Sequence, residues 1–336
     1  MTATPVVSVV LPIFNGAPYL PQAIESILTQ SYTDFELIAI DDGSVDDSLR
    51  IVRQYGDERI RVISQANKGL PATLNRGIGL ARGHYIGRQD QDDVAFPERL
   101  GRQVAFLDEH PACGLVGTWA EIWRGDARTD RAHTHPIDDA DLRIGLLFNN
   151  PFVHSSVMIR KTALDKVGPY TVDPGRQPPE DYELWSRISR EFEIANIPKV
   201  LHAYREVDGS MSRVGQSPFL EHLVTISAEN IAWAADLEPT DAQVTNIAAL
   251  VHAANRRIQG QPDFVAMRDI LGKALTRVSG NGEQATHDAA AVVEGLRDQW
   301  LGRRPRRLRR ILRRARGFLA HVAGAAPVGN PSAPRR

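Results

Sequence analysis

The stretch "VSVVLPIFNGAPYLPQAIESILTQSYTDFELIAIDDGS", residues 7–44, changes its hydrophobic period twice. It opens with a nearly unbroken apolar run, as a strand covered on both faces requires. From Pro18 to Gln30 the apolar residues Leu20, Ala23, Ile24, Ile27 and Leu28 fall on one helical face. "FELIAI" then returns to strand character and stops at Asp41 and Asp42. Strand, helix and strand in that order make a right-handed β–α–β unit, whose ligands gather at the carboxyl ends of the strands.

The pattern repeats downstream. "DDGSVDDSLRIVRQY" (41–55) is a turn with capping residues leading into a helix, and "IRVIS" (60–64) is a strand. "NKGLPATLNRGIGLARG" (67–83) is a loop and helix, and "HYIG" (84–87) is a fourth strand. Three crossovers in succession place Asn15, the Asp41–Asp42 pair and the run Asp90, Asp92, Asp93 on one sheet edge. Beyond that edge, helices are expected over 97–110, 138–148 and from 179. Strands are expected over 113–123, 153–160, 192–198 and 200–205. From Pro218 to Gln299 the chain is alanine-rich and helical, with helices over 244–258 and 287–300. The expected fold is α/β, a mixed sheet flanked by helices with a helical C-terminal extension. Its parts are residues 1–215, 216–299 and an Arg-rich tail, 300–336.

Composition narrows the classes further. With 336 residues and 42% hydrophobic content, the chain can bury a large core, which excludes disorder throughout. The lone Cys113 fits a small buried hydrophobe in a reducing compartment. The N-terminal run lacks a basic flank and no apolar stretch reaches the length of a membrane span, so neither a cleaved leader nor insertion is expected. The net charge of −1 hides an asymmetry. Residues 300–336 hold eleven Arg and no acid, leaving 29 bases against 41 acids in residues 1–299. In "RRPRRLRRILRRARGFLAHV" (303–322), Leu308, Ile311, Leu312, Ala315, Phe318, Leu319 and Val322 recur at helical spacing with arginines on the other face. That arrangement suits an anionic membrane surface. Nucleic acid is not expected, because only Phe318 could stack on a base.

Three aspartates in four positions repel one another unless a cation or a hydrogen-bond network offsets the cost. D-x-D at a strand end suits Mg²⁺ or Mn²⁺, which keeps coordination positions for phosphate. It also fits a solvated acidic turn capping the next helix. "DDGS" can offer an Asp to a base N–H, and it is equally a plain turn. The loop "ANKGLPATLNRG", with Asn67, Lys68 and Arg76, ends at a helix start that favours phosphate. "PPEDYELWSRI" opens a helix on Glu180 and Asp181, which the macrodipole favours with or without catalysis.

Together, residues 7–48, "NKGLPATLNRGI", "ARGHYIGRQDQDD", "PERL" and "EDYELWSRI" resemble the family-2 glycosyltransferases, which have the nucleotide-sugar-binding GT-A fold. The resemblance covers roughly residues 5–213, and its specificity lies in the combination and order of the pieces. It implies that Pro12, Phe14 and Asn15 lie against the nucleotide base, with Phe14 where tyrosine is usual, and that Asp42 bonds the base. It implies Asp90 near the ribose and sugar, Asp92 on the metal, Asp93 in support, and His154 near donor or acceptor. Asp181 would be the base that takes the acceptor's proton, with Glu180 beside it, in a single inverting displacement. Val207 stands where relatives often carry histidine. No Q-x-x-R-W segment of processive synthases is present, so one sugar per reaction is expected. The reading is an inverting, metal-dependent glycosyltransferase peripheral on the cytoplasmic face of a membrane, acting on a glycan or lipid-linked acceptor in cell-envelope polysaccharide synthesis. Two rivals remain: a sugar nucleotidylyltransferase, and a noncatalytic nucleotide-sugar or membrane-binding protein of the same fold.

Overall fold

The computed structural model describes residues 4–207 and 218–302. Strands β1 (Val7–Ile13), β2 (Phe35–Asp41), β3 (Ile60–Ser64) and β4 (Tyr85–Arg88) are parallel, in the order β3-β2-β1-β4. They are joined by α1 (Leu20–Leu28), α2 (Ser48–Arg53) and α3 (Leu70–Leu80). This is the crossover pattern expected from the two periodicities. After it come β5 (Val94–Ala95), α4 (Arg99–Glu109), β6 (Cys113–Arg124), β7 (Ala127–His133) and α5 (Asp139–Leu146). Then follow β8 (Met158–Arg160), α6 (Lys161–Val167), α7 (Glu180–Glu191) and β9 (Glu193–Glu206). The sheet continues from β4 as β8-β6-β9-β5, and β7 pairs only with β6. β8 is antiparallel to both β4 and β6, so the sheet is mixed.

Strand alternation divides the core between two layers. Val7, Val9, Leu11 and Ile13 of β1 join Leu20, Ile24 and Ile27 of α1 and Leu100 and Leu107 of α4 on one face. Val10 of β1, with Ile38 and Ile40 of β2, packs on Leu74 of α3 and on Leu184, Trp185 and Ile188 of α7 on the other. Helices on both faces explain why β1 and β2 are buried along their whole length.

Three expectations are corrected. The strand over 153–160 shrinks to Met158–Arg160, because His154–Ser156 form a 3-10 turn in which Ser156 Oγ donates to Val153 O at 2.9 Å. That local bond replaces a ladder bond. The two strands over 192–198 and 200–205 are one, β9. Pro198, which has no N–H to donate, falls where the register with β6 jumps from Ile197 opposite Thr118 to Val200 opposite Trp119. The helix over 244–258 stops at Val251, and Ala253 adopts a positive φ of 53° just beyond. β7 has no sequence signature: its side chains are mostly exposed and polar, so no alternation marks it.

Beyond the sheet lie α8 (Phe219–Ala235), α9 (Ala242–Val251), α10 (Phe264–Ser279) and α11 (Gly282–Trp300). Asp241, Asp263 and Asn281 cap the last three with side-chain oxygens. Their apolar faces, including Ile231, Ile247, Leu271, Leu275, Val293 and Leu296, enclose a third core that also takes in Leu147 and Phe148 from the end of α5. Among the described residues no helix is long and apolar enough to cross a membrane. Cys113 is buried at the start of β6. The basic segment 303–322 lies outside the described residues.

Candidate active site

The carboxyl edge of β1, β2 and β4 carries two poles. At the first, the chain leaving β1 is held by the loop leaving β2. The backbone N–H groups of Asn15, Gly16 and Ala17 donate to Ser44 Oγ (3.0 Å), Ser48 Oγ (2.9 Å) and Asp46 Oδ2 (3.0 Å). Asn15, at φ 52°, returns the contact by accepting from Val45 N at 2.9 Å. "DDGSVDDS" is thus a clamp that presents Phe14, a residue 46% exposed at the rim. Pro12 is buried within β1 opposite Ile40, one turn of pleat below it.

Asp42 is buried and heavily engaged. Its Oδ1 accepts from Gln65 Nε2 (2.6 Å) and Lys68 N (2.9 Å), and its Oδ2 from Gly69 N (2.9 Å). Gly69, at φ 82°, takes the left-handed turn that glycine adopts without strain. Asn67, Lys68 and Arg76 have exposed side chains, and Arg76 Nη1 donates to Gln65 Oε1 at 2.7 Å. Those six predicted residues, Phe14, Asn15, Asp42, Asn67, Lys68 and Arg76, therefore share one rim.

The second pole is the turn Asp90–Asp93. Gln91 bonds the Phe14 backbone reciprocally, accepting from its N–H at 2.8 Å and donating to its carbonyl at 3.0 Å. Asp90 pairs with Arg88 at 2.6 Å, and the arginine is almost fully buried. Asp93 is the structural member. It accepts from Arg205 N (2.8 Å) and Ser155 Oγ and faces His202 Nε2 at 3.1 Å. Burial opposes its ionisation, but His202, Ser155 and the Arg205 amide outweigh it and hold its carboxyl below the usual range. Arg205 stacks over Tyr19 at 4.3 Å and donates through Nε to the Asp92 carbonyl at 2.6 Å. The Asp92 carboxyl is pushed up to about 8 by burial and by the charges of Asp93 and Asp90. Excess negative charge on hard oxygens is what a Mg²⁺ or Mn²⁺ ion relieves. Among the described residues no three His, Cys, Asp or Glu side chains are grouped to hold an ion alone. An ion at Asp92 would complete its shell with water and phosphate oxygens.

Facing this turn, α7 starts with Glu180 and Asp181. Asp181 Oδ2 accepts from Asn150 Nδ2 at 2.6 Å and Oδ1 from Tyr182 N at 2.8 Å. His154 Nδ1 lies 3.8 Å from Asp181 Oδ2 and 3.9 Å from Glu180 Oε1, while Nε2 meets the Tyr170 hydroxyl at 2.9 Å. Trp185 backs the His154 and Tyr170 rings at 5.9 and 6.1 Å. Burial, with the Arg88 charge, pushes His154 well below its ordinary value, so it is neutral. Burial raises Asp181 to about 6 even though the Tyr182 amide, Arg88 and Asn150 favour its anion. Burial and the Asp181 charge raise Glu180 to about 7. A carboxylate poised near neutrality, with one oxygen aimed by an amide, can accept a proton from a hydroxyl.

Arg88, Gln91, Asn150, Tyr170 and Arg205 also belong to the site, and no motif in the sequence marks them. Arg88 alone left a trace, as a charge at the end of a buried strand.

The family model for glycosyl transferase family 2 matches residues 8–168. EpsE of Bacillus subtilis (strain 168), which carries a provisional glycosyltransferase name, is 36% identical over 218 residues, 63% of this chain and 77% of the relative. The amylovoran biosynthesis glycosyltransferase AmsE of Erwinia amylovora is 30% identical over 190 residues, 55% of this chain and 70% of the relative. Among solved structures, S. aureus TarS 1–349 in complex with UDP-GlcNAc superposes with a TM-score of 0.59 at 20% identity, covering 89% of this chain and 93% of that one. That likeness bears on the fold, a mixed GT-A sheet with a helical C-terminal region. The relatives bear on kinship: the chain belongs to glycosyl transferase family 2.

Proposed function

We propose that the protein transfers one sugar from a UDP- or dTDP-sugar to a hydroxyl of a glycan or lipid-linked acceptor, with inversion and with Asp181 as base. The observation that carries this reading is Asp181 itself, raised toward neutrality by burial, hydrogen-bonded to Asn150 and within the field of the Arg88 charge. Glu180 and Asp181 titrate as a pair, and Asp181 is the member whose oxygen the Asn150 amide holds.

Counting acceptors on Asp42 supports this donor class. A carboxylate has about four lone-pair positions, and three are taken by Gln65, Lys68 N and Gly69 N. One remains, on Oδ2. Uracil and thymine each offer a single imide N–H, whereas guanine offers adjacent N–H and NH₂ groups that need two acceptors. Phe14 supplies a face for the base and Asn15 and Pro12 support that face; Asn67, Lys68 and Arg76 line the same rim, and His154 lies on the sugar side with Asp90. Asp92 would hold Mn²⁺ or Mg²⁺, which when bound stabilises the departing diphosphate. The relationship to AmsE supports a place in polysaccharide biosynthesis.

Calorimetric titration with UDP, dTDP and GDP, with and without Mn²⁺, tests the donor reading. UDP or dTDP is expected to bind in the presence of the ion and GDP about 5- to 160-fold more weakly, as loss of one paired donor costs roughly 1–3 kcal/mol. Equal binding of all three would overturn the assignment to Asp42.

The basic segment 303–322 would dock the enzyme on anionic lipid at the cytoplasmic face of the membrane. Trp300 and Leu301, both exposed at the end of α11, lead into it. The full chain is expected to sediment with phosphatidylserine vesicles and not with phosphatidylcholine vesicles, and a chain ending at residue 302 with neither. Equal sedimentation of the two chains would refute the role.

A further inference from the structure

Helix α8 touches both segments that aim Asp181. On the approach to α7, the Arg176 guanidinium is bound two-fold by Glu229 of α8, Nη1 to Oε2 at 2.9 Å and Nη2 to Oε1 at 2.7 Å. Two residues before Glu180, the Pro178 carbonyl accepts from His222 Nδ1 of α8 at 3.0 Å. On the other side, α5 ends in carbonyls that no helical N–H can satisfy. Asn230 Nδ2 donates to the Leu146 carbonyl at 2.7 Å and Ser227 Oγ to that of Leu147 at 2.8 Å. The chain then runs through Phe148 and Asn149 to Asn150, whose amide holds Asp181. Asn230, itself buried, also bonds Ser186 Oγ at 2.8 Å and accepts from Arg190 Nη2 at 2.9 Å, both on α7. The base and the amide that aims it thus reach the site from two chain segments, and one helix of the C-terminal extension binds both.

We propose that α8 is a positioning element of the transfer site, in which Glu229 and Asn230 hold the Arg176 loop and the end of α5 so that Asp181 and Asn150 meet. This rests on Asp181 being the base. The extension would be part of the catalytic apparatus rather than an appendage to it. Nothing on α8 among these contacts reaches the rim of Phe14 and Asp42, so loosening α8 separates turnover from nucleotide affinity.

The test uses the full chain with Mn²⁺, UDP as the binding probe, and hydrolysis of saturating UDP-glucose, UDP-galactose and UDP-N-acetylglucosamine as the turnover probe, in which water takes the sugar, gives its proton to Asp181 and UDP is released. Glu229→Gln is close in shape and sits at the edge of the helix, not in its core. It is expected to lower UDP release about 10- to 100-fold, the scale of a misplaced reacting group, while UDP affinity stays within about twofold. Reversing the pair, Arg176→Glu with Glu229→Arg, is expected to recover most of the loss. Unchanged turnover in Glu229→Gln, or a parallel fall in UDP affinity, would overturn the positioning role and leave the transfer reading intact. An Asp181→Asn chain that hydrolyses the accepted donor as fast as wild type would overturn the base assignment, and the inference with it.

Discussion

Asp181→Asn is expected to lower sugar transfer by about 10²–10⁴-fold, the usual contribution of a positioned general base, while UDP binding with Mn²⁺ is unchanged. The amide keeps the size of the carboxylate and its oxygen can still accept from the Tyr182 N–H, so the helix start stays in place although the Asn150 bond to the second oxygen is lost. What it loses is the ability to take the acceptor's proton as the anomeric carbon is attacked. The pH profile gives an independent check. Asp181 acts in its deprotonated form and burial raises it to about 6, so kcat/KM should be low below that pH and climb to a plateau above it. Glu180, raised to about 7 and facing Asp181, broadens the limb, because the two carboxyls titrate as a pair. Asn150→Ala removes a bond that favours the anion, so its acid limb should move to higher pH, a change that a merely structural lesion would not produce. NMR assignment of the first-formed product should show the inverted anomer, since a single displacement at the anomeric carbon allows no other outcome. A retained anomer, or a Asp181→Asn protein with more than a tenth of wild-type turnover, would refute the base.

Much of this site could be read before the fold was known, and the reason is local. β1, α1 and β2 announce themselves by period, and parallel strands bring their carboxyl ends to one edge whatever the remainder of the chain does. Asp42, Asp90 and Asp92 sit at those ends, so topology alone gathers them. Glu180 and Asp181 open an amphipathic helix whose start is marked by the prolines before it. What could not be read depends on contacts across long stretches of chain. Asn150 reaches Asp181 over 31 residues and Arg205 reaches the Asp92 carbonyl over 113. Neither has a spacing that distinguishes it from a surface polar residue. Gln91 looks like a spacer between aspartates until its side chain is seen bonded both ways to the Phe14 backbone, linking the two poles. The strand over 153–160 is legible, but its place between β4 and β6 is not, because nothing in its spacing names its neighbours.

Asp92→Ala is expected to abolish the Mn²⁺ dependence of UDP binding and to lower transfer by at least about 10³-fold, as loss of a charge clamp on a departing diphosphate does. The three aspartates of the turn are not equivalent, and that separates this variant from its neighbours. Asp93 is consumed by His202, Ser155 and the Arg205 amide, so Asp93→Ala should unfold the turn and lower the melting temperature. Asp90 is consumed by Arg88, and its removal would leave a buried guanidinium unpaired. Asp92 has its backbone pinned through the carbonyl bond to Arg205, while its carboxyl is disfavoured as an anion by burial first and then by the charges of Asp93 and Asp90. Removing that carboxylate relieves its unfavourable burial and, after it, like-charge repulsion, so the Asp92→Ala protein should be as stable as wild type or more so in thermal melts without metal. Loss of stability together with loss of function would mark Asp92 as a structural acid like Asp93. Gain of stability with loss of Mn²⁺-dependent UDP binding would identify repulsion tolerated for the sake of a cation, which is the physical reason for crowding carboxylates at the edge of a sheet.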